Sequence, residues 1–238
     1  MTRLLITIAL LAAGASAMAQ TDVRALYNFA EDSPAATAIL ESWGTDNWGD
    51  TFSTAEFGFK ADPFSLNSGA FEITRSFNFW SGIPVLKDFS LQAGFEGRLN
   101  MDTSSALVGL AWTAPVDKHV LRAAVLYRGF TGNVQSYAPV QLNLMWRMYD
   151  LFGAEGLDFR GLLKAWGENT SYWYGESDPV NGETGFFILR ANPQLWYAFG
   201  RKFGADGLSL GGEVELSYNW LGCRGFKARP SVGLKLQF

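Results

Sequence analysis

The side-chain types that most often do covalent chemistry are nearly missing from this chain, which has one histidine, His119, and one cysteine, Cys223. A serine hydrolase needs an imidazole beside its nucleophile, and a histidine-centred protease needs acidic partners around it. His119 stands next to Lys118 in what reads as a polar turn, and a lone His in such a place is a solvated turn residue. An enzyme is therefore not expected. A zinc cage needs more imidazole or thiol than this, no internal disulfide can form, and no cofactor is expected. A formal net charge of −4 gives no reason to expect nucleic-acid binding.

What the chain does carry is charge recurring with a period of two. Glu72, Glu96, Arg98, Arg122, Arg128, Arg147, Arg160, Lys164, Glu168, Arg190, Glu213, Glu215, Lys227, Arg229 and Lys235 fall on one face of alternating segments whose other face is apolar. From this face come the candidates for contact with a small polar solute: Glu96, Arg98, Arg122, Arg128, Arg147, Arg160, Lys164, Arg190 and Glu213. Tyr149, Trp166 and Trp196 join them, with Phe186 on the same parity, because a ring face can stack on a nucleobase or a sugar. Two readings stay open at this level. The charges either line a watery passage and select its cargo, or they pair across a narrow lumen that the aromatics fill. Basic groups outnumber acidic ones in the set, which favours neutral or anionic solutes.

Strands must position these groups, since successive strand side chains point to opposite faces. The last segment alternates most cleanly. Phe226, Ala228, Pro230, Val232, Leu234, Leu236 and Phe238 form one face, and Lys227, Arg229, Ser231, Gly233, Lys235 and Gln237 the other. So long a run suits a tilted strand with lipid outside and a polar lumen inside. Phe89–Asn100, Val140–Tyr149 and Leu208–Trp220 read the same way, the last with Trp220 on its apolar face. About twelve such strands can be placed, from Val23–Phe29 to Phe226–Phe238, with Ala70–Trp80 and Gly185–Phe199 among them. The expected fold is all-β: a single-domain, transmembrane, antiparallel up-and-down β-barrel.

The start of the chain supports that setting. Arg3, the apolar run Leu4 to Leu11 and the small-residue site Ala17-Met18-Ala19 read as a cleaved signal over residues 1–19, leaving a barrel over 20–238. The chain is 15% aromatic and 18% charged, which departs from an ordinary soluble domain. No mature segment suits a helical span, so a closed barrel in outer-membrane lipid remains. With periplasmic termini, Ala61–Gly69, Thr131–Pro139 and Thr170–Thr184 become external loops, while Gly44–Gly49 and Ala114–Lys118 become short turns. Trp43, Trp48, Trp80, Trp112, Trp146, Trp173 and Trp220 fall near strand ends, where aromatic girdles sit. Arg75 is a misfit on an apolar face; a bulge or an interfacial position would account for it.

The segments Trp48-Gly49-Asp50-Thr51-Phe52, Glu72-Ile73-Thr74-Arg75-Ser76-Phe77-Asn78-Phe79-Trp80 and Ala191-Asn192-Pro193-Gln194-Leu195-Trp196-Tyr197 resemble an uncharacterised outer-membrane barrel family allied to the nucleoside-specific, Tsx-type channels. That resemblance implies a twelve-stranded monomer that passes nucleosides, and it assigns no binding residue. The expected activity is passive diffusion of small hydrophilic solutes, nucleosides first. The rival is a closed structural or surface-interaction barrel acting through its external loops. Expected partners are outer-membrane lipid, the solute, and the barrel-assembly machinery, which would read the strand ending on Phe238.

Overall fold

The computed structural model of the chain describes residues 19–30, 34–61, 64–99, 104–131, 138–171, 184–220 and 223–238. The expected signal, apart from Ala19, lies outside them, as does Trp173.

Thirteen strand segments make the wall: β1 (Ala19–Asn28), β2 (Ala36–Asp46), β3 (Gly49–Lys60), β4 (Ser65–Phe77), β5 (Phe89–Leu99), β6 (Ser104–Val116), β7 (His119–Phe130), β8 (Val140–Met148), β9 (Leu157–Ser171), β10 (Thr184–Ala191), β11 (Gln194–Tyr197), β12 (Leu208–Tyr218) and β13 (Phe226–Gln237). Each pairs antiparallel with its neighbours, and β1 pairs with β13 through seven residues, so the sheet closes on itself and leaves no edge. Thr21 and Phe238 exchange backbone hydrogen bonds at the seam, which puts both chain ends at one rim, here the terminal end. The opposite rim is the loop end.

The barrel has twelve staves because β10 and β11 share one. Both pair with β9 on one side and β12 on the other, in unbroken register across Asn192 and Pro193. The expected continuous strand Gly185–Phe199 is therefore interrupted. Pro193 has no N–H to give the ladder. Asn192 repairs the gap: its N–H donates to Leu162 O, and its side-chain oxygen accepts the Leu162 N–H, both at 3.0 Å.

Two other boundaries differ from expectation. β4 begins at Ser65, not Ala70, so the strand takes up much of the expected loop Ala61–Gly69; a register shift beside Gly58 accommodates the longer pairing. β4 also ends at Phe77, and Trp80 lies in the connection over 78–88, its Nε1 donating to Phe89 O at 2.6 Å. Tighter turns close the terminal end elsewhere. Asp117 (φ 56°) turns β6 into β7. At the β2–β3 turn Gly49 sits at φ +146°, where any Cβ would stand 2.0 Å from Ser76 O.

The outward face is apolar over most of the wall. Leu91 and Phe95 on β5, Val108 and Leu110 on β6, Val125 on β7, Leu142 on β8, and Val232, Leu234 and Leu236 on β13 are all exposed. An apolar belt encircling a closed sheet is the surface a bilayer takes, and the barrel fits an outer-membrane location. The best-covered side chains face the lumen, where Leu26, Ile39 and Trp196 make one cluster and Leu107, Ala111, Ala124 and Leu126 another.

Candidate functional site

Alternation turns every candidate solute contact inward: Glu96, Arg98, Arg122, Arg128, Arg147, Tyr149, Arg160, Lys164, Trp166, Arg190, Trp196 and Glu213 all reach partners across or around the lumen. Phe186 is exposed near the loop rim. Of the tryptophans expected in girdles, Trp48 and Trp112 are exposed, but two others are luminal. Trp43 shares the face of Glu41, and the Arg147 guanidinium lies 4.5 Å from its ring. Trp220 also turns inward, beneath the Arg98 guanidinium at 4.1 Å. The cause there is Asn219, whose left-handed backbone (φ 54°) breaks the alternation after Tyr218. Arg75 keeps its outward place without a bulge, in regular pairing with Thr51 and Ala93. It donates to Asp46 at 2.7 Å and Thr51 at 2.9 Å, and lies 5.3 Å from the Phe77 ring.

The terminal half of the lumen is organised around Arg24, whose Nη2 lies 2.5 Å from Glu41. Its Nη1 lies 2.8 Å from Gln194 and 3.3 Å from Glu213, and its Nε lies 3.1 Å from Asp22. Arg160 reaches Asp22 at 2.7 Å and the same Gln194 oxygen at 3.1 Å. Arg147 crosses from β8 to Glu41 on β2 at 2.8 Å, and Arg122 crosses from β7 to Asp50 on β3 at 2.5 Å, meeting the Ser76 hydroxyl as well. Trp196 donates to Gln194 at 3.1 Å, so one carbonyl oxygen accepts from three side chains. Gly211 makes the room for that indole, since a Cβ there would stand 2.8 Å from the Trp196 ring. Arg24, Lys235 and Trp196 are each 1% exposed. In this half the lumen is filled.

The loop half is built from separate, looser sets. Lys164 bridges Glu72 and Glu96 at 2.6 Å each, and Arg128 meets Glu96 at 2.8 Å and the Gln141 side-chain carbonyl. Arg190 spans to Glu56 at 3.2 Å and Glu215 at 2.8 Å, while Arg229 meets Glu215 at 3.1 Å. Above them Trp166 donates to Glu168 at 2.7 Å, and its ring packs edge-on against Trp220 with centroids 5.2 Å apart. Between the two halves lie two small cavities. One of about 80 Å³ is bounded by Arg24, Glu41, Glu56, Glu72, Lys164 and Arg190, and one of about 30 Å³ by Phe52, Gln92, Arg122 and Met145. Each has room for water.

Several residues that shape this interior escaped the sequence reading. Asp22, Arg24, Glu41, Asp50, Glu56 and Asp158 are luminal, and five of the six are acidic. They nearly cancel the basic excess, so the expected bias toward anionic solutes does not survive as a property of the whole lumen. The signal was present: Asp22, Arg24 and Leu26 alternate with Val23, Ala25 and Tyr27. Gln194 carried no charge to mark it. His119, at the start of β7, accepts the Tyr149 N–H on Nδ1 at 3.2 Å. Among the described residues no group of three His, Cys, Asp or Glu side chains is placed to hold a metal ion.

Comparison with known proteins adds the following. The chain is similar to the NanC porin at a TM-score of 0.54 and 10% identity, over 92% of this chain and 100% of that one; this is a likeness of fold. The KdgM porin in complex with disordered oligogalacturonate is similar at a TM-score of 0.48 and 15% identity, over 92% of this chain and 99% of that one. No curated protein matches. Residues 20–238 match the family described as a domain of unknown function (DUF5020), and the chain belongs to that family.

Proposed function

We propose that the protein is an outer-membrane channel for passive diffusion of small hydrophilic solutes. The observation that carries this reading is the division of the wall: an apolar belt outside, and ionised groups lining the lumen from Arg122 at one end to Arg190 at the other. A charge on the lipid face at mid-depth costs about 2–4 kcal/mol, so these groups face inward and give the barrel a polar lumen. A barrel of twelve staves is slender, and its bore here is set by side chains on rotatable stems. Nucleosides, implied by the Tsx-type resemblance, are the first solutes to try. Residues 1–19 are read as a cleaved export signal, a reading supported by the family match beginning at Gln20. We read the barrel as a monomer whose β13 is presented to the assembly machinery.

The test is conductance of the refolded protein in a planar bilayer. Discrete openings, blocked by a permeating solute, are expected; persistent silence from a heat-modifiable, folded barrel overturns the reading. A second reading rests on the filled terminal half, where Arg24, Lys235 and Trp196 are enclosed: a closed barrel acting through its external loops. Silence would favour it.

A further inference from the structure

We propose that Arg98 and Trp220 form a binding site, at the loop end of the lumen, for a small solute carrying a single carboxylate. This deepens the channel reading and rests on it only for the solute's route into the lumen.

Arg24, Arg122, Arg128, Arg147, Arg160, Arg190 and Arg229 each meet a carboxylate within 3.1 Å. Arg98 does not. Among the described residues it has neither an ion pair nor a hydrogen bond, and its one close interaction is the Trp220 ring at 4.1 Å. A half-buried guanidinium without an acceptor is unusual, because its five donors are strongly solvated in water and need replacement partners inside. Stacking on an indole leaves the planar N–H edge of Arg98 free, and that edge matches a carboxylate in bidentate geometry. Trp220 adds a second unspent donor: its Nε1 is buried and has no acceptor. Trp166, perpendicular to Trp220, walls one side with an aromatic edge.

Charge balance fixes the class of solute. Lys164 and Arg128 are met by Glu72 and Glu96, and Arg190 and Arg229 by Glu56 and Glu215, so the neighbouring basic groups already have carboxylates. Glu168, nearer the rim, accepts from the neutral Trp166 indole and keeps its negative charge, which disfavours a dianion there. Arg98 therefore contributes one positive charge that one carboxylate would match, whereas a phosphate dianion would bring a charge with no partner.

The experiment is calorimetric titration of the refolded full chain in detergent with nicotinate, its neutral isostere nicotinamide, and inorganic phosphate. Nicotinate is expected to bind at least ten-fold more tightly than either. Arg98→Gln should abolish that preference while the barrel stays heat-modifiable, and Trp220→Phe, which keeps a ring but removes the N–H, should weaken nicotinate several-fold. Equal binding of nicotinate and nicotinamide, a preference surviving in Arg98→Gln, or phosphate binding as tightly, would overturn the site. Should Arg98→Gln not fold, Arg98→Lys serves in its place, with partial loss expected and an undiminished preference counting against the proposal. Because binding is read in detergent, selective binding with a silent bilayer would reject the channel and keep the site. Conduction without nicotinate preference would do the reverse.

Discussion

Arg24 and Arg98 are both luminal arginines on long barrel strands, and they live in opposite circumstances. Arg24 is 1% exposed and touches Asp22, Glu41, Gln194 and Glu213, which come from four different strands. Arg98 is half-buried, rests on one indole and meets no acceptor among the described residues. A buried ion is tolerated where close opposite charges answer it, as Asp22, Glu41 and Glu213 do for Arg24, so the terminal half reads as a structural brace. An ion left unanswered near an opening is free to answer something that arrives. The difference teaches that luminal charge in this barrel divides by how fully each group is paired, and that counting charges does not separate brace from site.

Arg24→Ala should break that contrast most severely. It would leave Glu41 and Asp22 in the lumen without their central partner, at a cost of about 3–5 kcal/mol, read as a lowered urea midpoint in detergent or vesicles. An unchanged midpoint would remove the brace from the argument. Where this variant still inserts, its single-channel conductance should exceed that of the wild type, because the filled half sets the bore; an equal conductance would place the constriction elsewhere. Gln194→Leu comes next. Its carbonyl oxygen accepts from Arg24, Arg160 and Trp196, so the loss is expected at about 1–3 kcal/mol by the same unfolding measurement. Arg98→Gln should be the mildest, within about 0.5 kcal/mol of wild type, since it removes no ion pair. A loss comparable to that of Arg24→Ala would make the two arginines alike and undo the comparison.

The staves were legible because their signal is local. Phe226–Gln237 alternates residue by residue, and that pattern placed Lys235 inward and Leu234 outward before any partner strand was known. Legibility failed where one residue changed the rule. Pro193 removed a donor and divided a stave, and Asn219 turned left-handed and carried Trp220 to the other face. Trp43 was misplaced for a different reason: nearness to a strand end suggested a girdle, whereas its parity with Glu41 already pointed inward.

By itself the sequence determined which side of the wall most residues occupy, and that about twelve antiparallel strands surround a polar interior, because period-two alternation is a property of the strand alone; closure of the sheet fixed the number at twelve staves. It could not determine who pairs with whom. Arg24 and Glu213 stand 189 positions apart, and Arg190 and Glu56 stand 134 apart. Closure of β1 onto β13 and the register of each ladder bring these groups together. Only the tertiary structure therefore decided that Arg24 is enclosed and Arg98 is not.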